Sequence, residues 1–345
     1  MPDSSFSSTP SALRLGIMGF GQTGRQLFDL AEDRDGIETV AIGDLGRPDI
    51  LHYLLQSEAS QPERYRLDGN FLEGPGQRAR LMCIDRPVEM PWDVFDVDVV
   101  LDATGVYRDE ASMAAHLTGG APRVIIRTLP LDRIDRIVIP GVNEESVDQR
   151  DRMISAGSPT TTALCLLLHT LSQELVIENV NMTTVHAYTS DQALHDYAGS
   201  DYRRSRSAPK NIIPNSHEAS AWLPHVLPGF ADRVCTSALN VPVQDGCLLD
   251  TTLVLADGGT SVDDINALMH QAAQEYPELI AVTDDPIVSS DVLGCKQSLL
   301  FDTRATLKAG QHFYKTLAWY ETRGHAARML DVAQLYAGIG SEDNS

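Results

Sequence analysis

Apolar positions fall in short runs through the first half of the chain. Leu13 to Met18 is the first, and it ends in Gly19-Phe20-Gly21-Gln22-Thr23-Gly24. Arg25 to Glu32 then has helical spacing, and Thr39 to Ile42 is a second apolar run that ends at Gly43-Asp44. Further runs follow at Arg80 to Ile84, Val97 to Ala103, Arg123 to Arg127 and Ile137 to Ile139, the last closed by Pro140-Gly141. Strands alternating with helices predict a parallel α/β sheet over about the first 150 residues.

The pattern changes around Ser155 to Thr162. A small-residue loop gives way to a predicted helix from Pro159 to about Glu174. Ser158 suits its N-cap and Pro159 its first turn, where the missing N–H costs nothing. Leu164, Leu167, Leu168, Leu171 and Leu175 share one face of that helix. Beyond it, strands are predicted at Val180 to His186, Val234 to Val241, Leu248 to Ala256, Ser298 to Asp302 and His312 to Trp319. With few helices between them, they predict a mixed or antiparallel sheet. An amphipathic helix from Arg323 to about Ala337 is expected to pack back on the first domain. The fold class expected is α/β: a doubly wound Rossmann parallel sheet plus a second α+β domain with a mixed or antiparallel sheet.

Composition narrows the function. The 345 residues suggest about two domains. A formal net charge of −21 repels phosphate backbones, so no nucleic-acid partner is expected. No apolar stretch reaches membrane-spanning length, so no membrane partner is expected either. Residues 1–11 are rich in Ser and Pro, lack a signal peptide's apolar run and read as a disordered tail. The five cysteines, Cys83, Cys165, Cys235, Cys247 and Cys295, are odd in number and form no CxxC pair. That indicates neither a disulfide framework nor a zinc site and suits a cytoplasmic home. The histidines His169, His195, His217 and His225 show no metal-ligand spacing, so no metal is expected.

Candidate chemistry begins at the glycine run. GxGxxG follows a predicted strand and opens a helix, and Asp44 ends the next strand 20 residues after Gly24. Glycines there let backbone N–H groups approach a pyrophosphate at a helix N-terminus. Asp44 would accept hydrogen bonds from the adenosine ribose and repel a 2′-phosphate, which predicts NAD over NADP. The alternative is a glycine-rich turn without a ligand.

The opening Gly16-Ile17-Met18-Gly19-Phe20-Gly21-Gln22-Thr23-Gly24-Arg25 resembles that of type I phosphorylating glyceraldehyde-3-phosphate dehydrogenases, including the erythrose-4-phosphate branch. The likeness continues in Asp102-Ala103-Thr104-Gly105-Val106-Tyr107, Gly119 to Ile126, Pro140-Gly141-Val142-Asn143, Thr183 to Thr189, Asn211-Ile212-Ile213-Pro214 and Trp319-Tyr320. The resemblance implies an NAD-binding Rossmann domain of residues 12–157 with 322–340, and a catalytic domain of residues 158–321. It implies cofactor contacts from Gly19, Gly21, Gln22, Thr23, Gly24, Asp44, Thr104, Gly105 and Thr322, the last standing where the family has an asparagine. It also implies a homotetramer.

The resemblance further assigns the site, and there the chain departs. The family's nucleophile lies in Ser-Cys-Thr-Thr-Asn, and the matching residues are Ser158-Pro159-Thr160-Thr161-Thr162. Pro159 offers neither a thiol nor a backbone N–H for a developing oxyanion. His186 matches the histidine that activates the cysteine. Without a thiol it is either a general base or a histidine bonded within the sheet. Cys165 lies six residues along the same helix, roughly 9 Å of rise away and on another face, and reads as packing. Cys235 and Cys247 read as core strand residues, and Cys295 falls in a polar loop. Ser158, Thr160, Thr189 and Arg204 match the substrate and phosphate ligands. Asn240 replaces a family arginine, His217-Glu218 a Thr-Gly pair and Asp191 a threonine, which disfavours binding of two phosphates. The cluster Arg203, Arg204 and Arg206 reads equally as a phosphate site or a solvated, pairing cluster.

Three readings follow. The first is an NAD-binding homologue that lacks the phosphorylating reaction, with a regulatory or binding role alone or in mixed oligomers with an active paralogue. The second is an NAD-dependent oxidoreductase of altered chemistry on a sugar phosphate or other aldehyde. The third is ordinary dehydrogenase activity through another thiol.

Overall fold

The computed structural model describes residues 12–189 and 192–342. The expected disordered tail and Asp191 lie outside them. Backbone proximity divides the chain into two compact units. One holds the residues up to Arg136, Asp148–Ser155 and those from Met329 on, and the other holds Ile137–Val147 and Ala156–Arg328.

The first unit is built on β1 (Leu13–Met18), α1 (Gln22–Ala31), β2 (Ile37–Asp44), α2 (Pro48–Glu58), β3 (Arg66–Asp68), β4 (Phe71–Glu73), β5 (Arg78–Cys83), β6 (Val99–Asp102), α3 (Glu110–Thr118), β7 (Val124–Ile126), β8 (Arg136–Ile137) and β9 (Met153–Ser155). The sheet order is β3-β4-β5-β2-β1-β6-β7-β9-β8. The pairs from β5 to β9 are parallel, and the β3–β4 hairpin adds an antiparallel edge. Chain order reverses between β1 and β6, which makes their carboxyl ends the switch point of a doubly wound sheet. Leu15, Ile17, Ala41, Ile42, Val100 and Leu101 are fully buried, as strands covered on both faces require.

The second unit contains α4 (Pro159–Ser172), β10 (Ile177–Ala187), β11 (Ile213–Ser216), α5 (Ala219–Val226), β12 (Val234–Val241), β13 (Cys247–Leu255), α6 (Val262–Glu275), β14 (Ile280–Thr283), β15 (Leu299–Ala309) and β16 (Phe313–Tyr320). Its sheet runs β11-β12-β10-β13-β16-β15-β14. It is mixed, with β10–β12 and β14–β15 parallel and the other pairs antiparallel. Helices α5 and α6 are the few helices among these strands. Helix α4 is buried beyond its leucine face: Thr160 to Leu168 are all buried, because it packs against the sheet, α5 and α6 together. A helix that is apolar on every side is an interior helix, and the leucine stripe alone does not reveal that.

The last helix, α7 (Thr322–Glu342), begins one residue earlier than the amphipathic pattern and runs beyond Ala337. Its residues up to Arg328 belong to the second unit and those from Met329 on to the first. Asp331 there pairs with Arg34, and Tyr336 donates a hydrogen bond to Asp151, both within the first unit.

Candidate active site and dinucleotide site

The dinucleotide site is set by strand ends. The parallel register pairs Met18 with Gly43 on one side and with Asp102 on the other. Three loops therefore leave the sheet side by side, carrying Gly19–Gly24, Asp44 and Thr104-Gly105. Gly19 has φ +86°, and a Cβ there would strike Thr104 at 2.8 Å. A Cβ on Gly24 would sit 2.1 Å from the Gly19 carbonyl oxygen. These two glycines are demanded by the protein's own backbone. Gly21 is different: a Cβ there would meet nothing within 4 Å, so its bareness leaves room in front of the loop.

Gly21 is also the N-cap of α1, and no side chain caps that end or places a carboxylate in its first turn. An uncapped N-terminus behind an open glycine is a cradle for a pyrophosphate. Asp44 flanks it. Its Oδ2 accepts from Phe20 N–H at 2.7 Å and its Oδ1 from Gly46 N–H at 2.7 Å, which fixes the carboxylate at the strand end. Gln22 is exposed, whereas Thr23 is buried and accepts a hydrogen bond from Arg127 at 3.1 Å. Asp102 anchors the neighbouring loop through the backbone and side chain of Thr104, and its other oxygen meets His116 at 3.0 Å. Gly105 has φ +69° and lies against the Arg127 guanidinium. The residues present fit a dinucleotide.

In the second unit, Ser158 caps α4. Its hydroxyl accepts from Thr161 N–H at 3.2 Å and donates to Thr161 Oγ1 at 2.8 Å. Pro159 is the first helical residue and is partly exposed. Thr160 is buried, and its hydroxyl is held by Tyr320 Oη at 2.7 Å. Tyr320 Oη also meets Thr184 Oγ1 at 2.5 Å. Burial pushes the Tyr320 phenol well above its ordinary value, and the neighbouring Cys247 thiol adds to the rise.

His186 lies near the end of β10, its ring edge-on to Tyr320 with centroids 6.3 Å apart. Its Nδ1 is 2.6 Å from the Ala187 carbonyl oxygen and must donate a proton to it. His217 differs, because its Nδ1 accepts from Ala219 N–H at 3.1 Å. Burial, followed by the charge of His186, pushes the His217 imidazole down to about 4. The two imidazoles are thus electrostatic neighbours, which the sequence did not indicate.

The remaining expected ligands are less buried. Thr189 is exposed, and its N–H donates to Gln192 at 3.2 Å. Arg204 is half-buried, and its backbone is held by Asp201. Arg203 and Arg206 lie at the surface, with Arg206 paired to Asp196 at 3.1 Å. Thr322 opens α7, next to the buried Glu321, which accepts from Arg323 N–H at 2.8 Å. Asn240 is buried in β12, in register with His186.

The thiols divide. Cys165 is fully buried in α4, and burial pushes it up to about 12. Cys235 is exposed, against its reading as core, because it falls on the outward face of alternating β12. Cys295 is half-buried, held by Gln297. Cys247 is buried as expected, yet it stands opposite Tyr320 rather than among apolar side chains alone. Among the described residues, no three His, Cys, Asp or Glu side chains gather as a metal group, and no helix is long and apolar enough to cross a membrane.

The family model of the glyceraldehyde 3-phosphate dehydrogenase NAD binding domain matches residues 13–110, and that of the C-terminal domain matches residues 158–322. Glyceraldehyde-3-phosphate dehydrogenase 1 of Streptomyces avermitilis is 37% identical over 330 residues, covering 94% of this chain and 98% of the relative. The Pseudomonas aeruginosa enzyme is 35% identical over 93% of this chain and 97% of its own length. The Borreliella burgdorferi enzyme is 33% identical over 93% and 99%. With both domains matched in order along nearly the whole chain, the protein belongs to the type I glyceraldehyde-3-phosphate dehydrogenase family of oxidoreductases, and its cofactor is NAD.

Proposed function

We propose that this chain is an NAD-binding member of its family that does not carry out phosphorylating aldehyde oxidation through residue 159. The observation that carries the reading is Pro159 at the first position of α4. A pyrrolidine ring forms no thioester and donates no hydrogen bond to an oxyanion. Asn240 and His217-Glu218, in place of an arginine and a Thr-Gly pair, weaken the two-phosphate site in the same direction.

In this reading NAD is held by Gly19, Gly21, Gln22, Thr23, Gly24, Asp44, Thr104 and Gly105, with Thr322 toward the nicotinamide; bound NAD supplies a hydride acceptor. Ser158, Thr160, Thr189 and Arg204 border the substrate side, and His186 is its base. The functional domains run over residues 12–157 with 322–340 and over residues 158–321. The protein is cytoplasmic and acts as a homotetramer or in mixed oligomers with an active paralogue. As a pseudoenzyme it has a regulatory or binding role.

A second reading is an NAD-dependent oxidoreductase of altered chemistry on a sugar phosphate or other aldehyde. The retained His186 near the end of β10, half-buried with its ring against Tyr320, favours it. Two measurements separate the readings. Calorimetric titration with NAD should give saturable binding. An assay with glyceraldehyde-3-phosphate, phosphate and NAD should give no NADH. Phosphate-dependent NADH formation would sink the first reading, and NADH formation indifferent to phosphate would promote the second.

A further inference from the structure

Helix α3 buries a histidine in the first unit. His116 is 0% exposed, with the Trp92 and Tyr107 rings beside it at centroid distances of 6.1 and 6.2 Å. Its Nε2 meets Asp102 Oδ2 at 3.0 Å. A carboxylate only accepts, so the ring proton sits on Nε2 and is donated to Asp102. The other ring nitrogen, Nδ1, has no hydrogen-bond partner among the described residues. The polar role of this ring is therefore the one bond to Asp102.

Asp102 passes that bond on. Its Oδ1 accepts from Thr104 N–H at 2.8 Å and from the Thr104 hydroxyl at 2.6 Å. The same hydroxyl accepts from Val106 N–H at 3.1 Å. Thr104 also abuts the glycine loop. A Cβ on Gly19 would lie 2.8 Å from the Thr104 side chain and 3.1 Å from its backbone nitrogen. At that spacing a shift of Thr104 disturbs Gly19 as well. Two of the three loops at this edge of the sheet thus depend on one buried carboxylate, and His116 holds its second oxygen.

We infer that His116 is a positioning residue for the cofactor: by fixing the Asp102 carboxylate, it sets the Thr104-Gly105 loop in the geometry that NAD meets. The inference rests on the reading that Thr104 and Gly105 border the dinucleotide. Stability alone does not account for the pair. Burying a carboxylate and an imidazole is costly, and apolar side chains of the same volume often serve as well. The partnerless Nδ1 adds to that cost. What the pair supplies is direction. A carboxylate held at both oxygens cannot turn about its Cβ–Cγ bond, whereas one held at a single oxygen can, and the bonds to Thr104 loosen with it.

The test sets NAD affinity beside stability, by calorimetry and urea unfolding of the full chain. His116→Leu removes the donor and should weaken NAD binding roughly tenfold. Should leucine not be accepted by the fold, His116→Phe keeps a ring and makes the same removal, with the same expected loss. His116→Gln puts an amide N–H in the place of Nε2–H and should hold NAD affinity within about threefold of the native chain. Thr104→Val removes the loop's own hydroxyl bond to Asp102 and should weaken NAD binding as His116→Leu does. Tyr336→Phe removes a different buried bond of the first unit, the one to Asp151, and should lower the urea midpoint with NAD affinity unchanged. Native affinity in His116→Leu beside a loss in Thr104→Val would overturn the role of His116 alone. Native affinity in both would show that the Thr104-Gly105 loop does not border the cofactor, and the inference would fall with that reading. Equal losses in His116→Leu, His116→Gln and Tyr336→Phe would reduce the effect to general destabilisation and overturn it too.

Discussion

Thr160 and Tyr320 are joined by a hydrogen bond of 2.7 Å between their hydroxyls, which ties the turn that begins at Pro159 to the end of β16. Tyr320 Oη is shared with Thr184 on β10, so one phenol serves two buried threonines. Tyr320→Phe keeps the ring and removes the bridge. It leaves both threonine hydroxyls short of a partner in an apolar setting, at a cost of about 1–3 kcal/mol. Urea unfolding should show a lower midpoint with an unchanged slope. An unchanged midpoint would mean that the bridge contributes nothing to holding the Pro159 turn.

The two glycines at the start of α1 should part company when given a methyl group. Gly24→Ala would push a carbon to 2.1 Å from the Gly19 carbonyl oxygen, so the loop must move and stability should fall by about 3 kcal/mol or more. Gly21→Ala meets no protein atom within 4 Å, at backbone angles open to alanine, φ −66° and ψ −164°. Its stability should change by about 1 kcal/mol or less, the penalty of a poorer N-cap. Its NAD affinity should nevertheless drop roughly tenfold or more, because the methyl fills the space in front of the helix N-terminus. Calorimetry with NAD on the folded variant decides this, and undiminished binding would remove Gly21 from the cofactor site.

How much of this was legible in the sequence depends on the range of the contacts. The glycine loop and Asp44 were readable because the strand, turn, helix and acid follow one another within a single βαβ unit. The hydrogen bond from Phe20 N–H to Asp44 joins residues only 24 apart. The Ser158 cap and Pro159 were readable for the same reason. The pairings across the second sheet were not. Asn240 faces His186 and Cys247 faces Tyr320 from strands far apart in the chain, through registers that no local pattern encodes. Strand periodicity gave the face of Cys247 but not its neighbours. Cys235 was misread for a related reason: a strand segment does not itself say which of its two faces is covered. His217 was noted as a substitution, but its place beside His186 follows from the segment between β11 and α5 folding back.

His217 makes stability depend on pH. Its folded-state value of about 4 lies below the 6.5 of a free imidazole, chiefly because burial disfavours the charged ring. The unfolded chain therefore binds the proton first as pH falls. The neutral ring's contribution is complete above about pH 6.5, and it is lost as pH falls from there toward 4. Full loss would amount to about 3 kcal/mol as an upper limit, reduced by the ring's partial exposure. His217→Gln should flatten the dependence. Urea midpoints of the native protein should fall more between pH 7 and pH 5 than those of the variant, and parallel profiles would refute the assignment.

Pro159→Cys asks whether one ring closes the family's reaction. The turn around it is held by the Ser158 cap and by the Thr160–Tyr320 bond, neither of which uses the proline ring. Losing proline's fixed φ at the first helical position should cost about 1 kcal/mol or less. The substitution restores both a thiol and a backbone N–H at a helix N-terminus, a setting that favours the thiolate. On the proposed reading of the native chain as inactive, phosphate-dependent NADH formation from glyceraldehyde-3-phosphate should therefore appear in the variant, but weakly, because Asn240 provides no guanidinium for a second phosphate. Adding Asn240→Arg in the same background should raise that rate by roughly tenfold, since a charge-assisted contact to phosphate is worth about 1.5–3 kcal/mol. If the double variant folds, binds NAD and still forms no NADH, then the proline is not what closes the route.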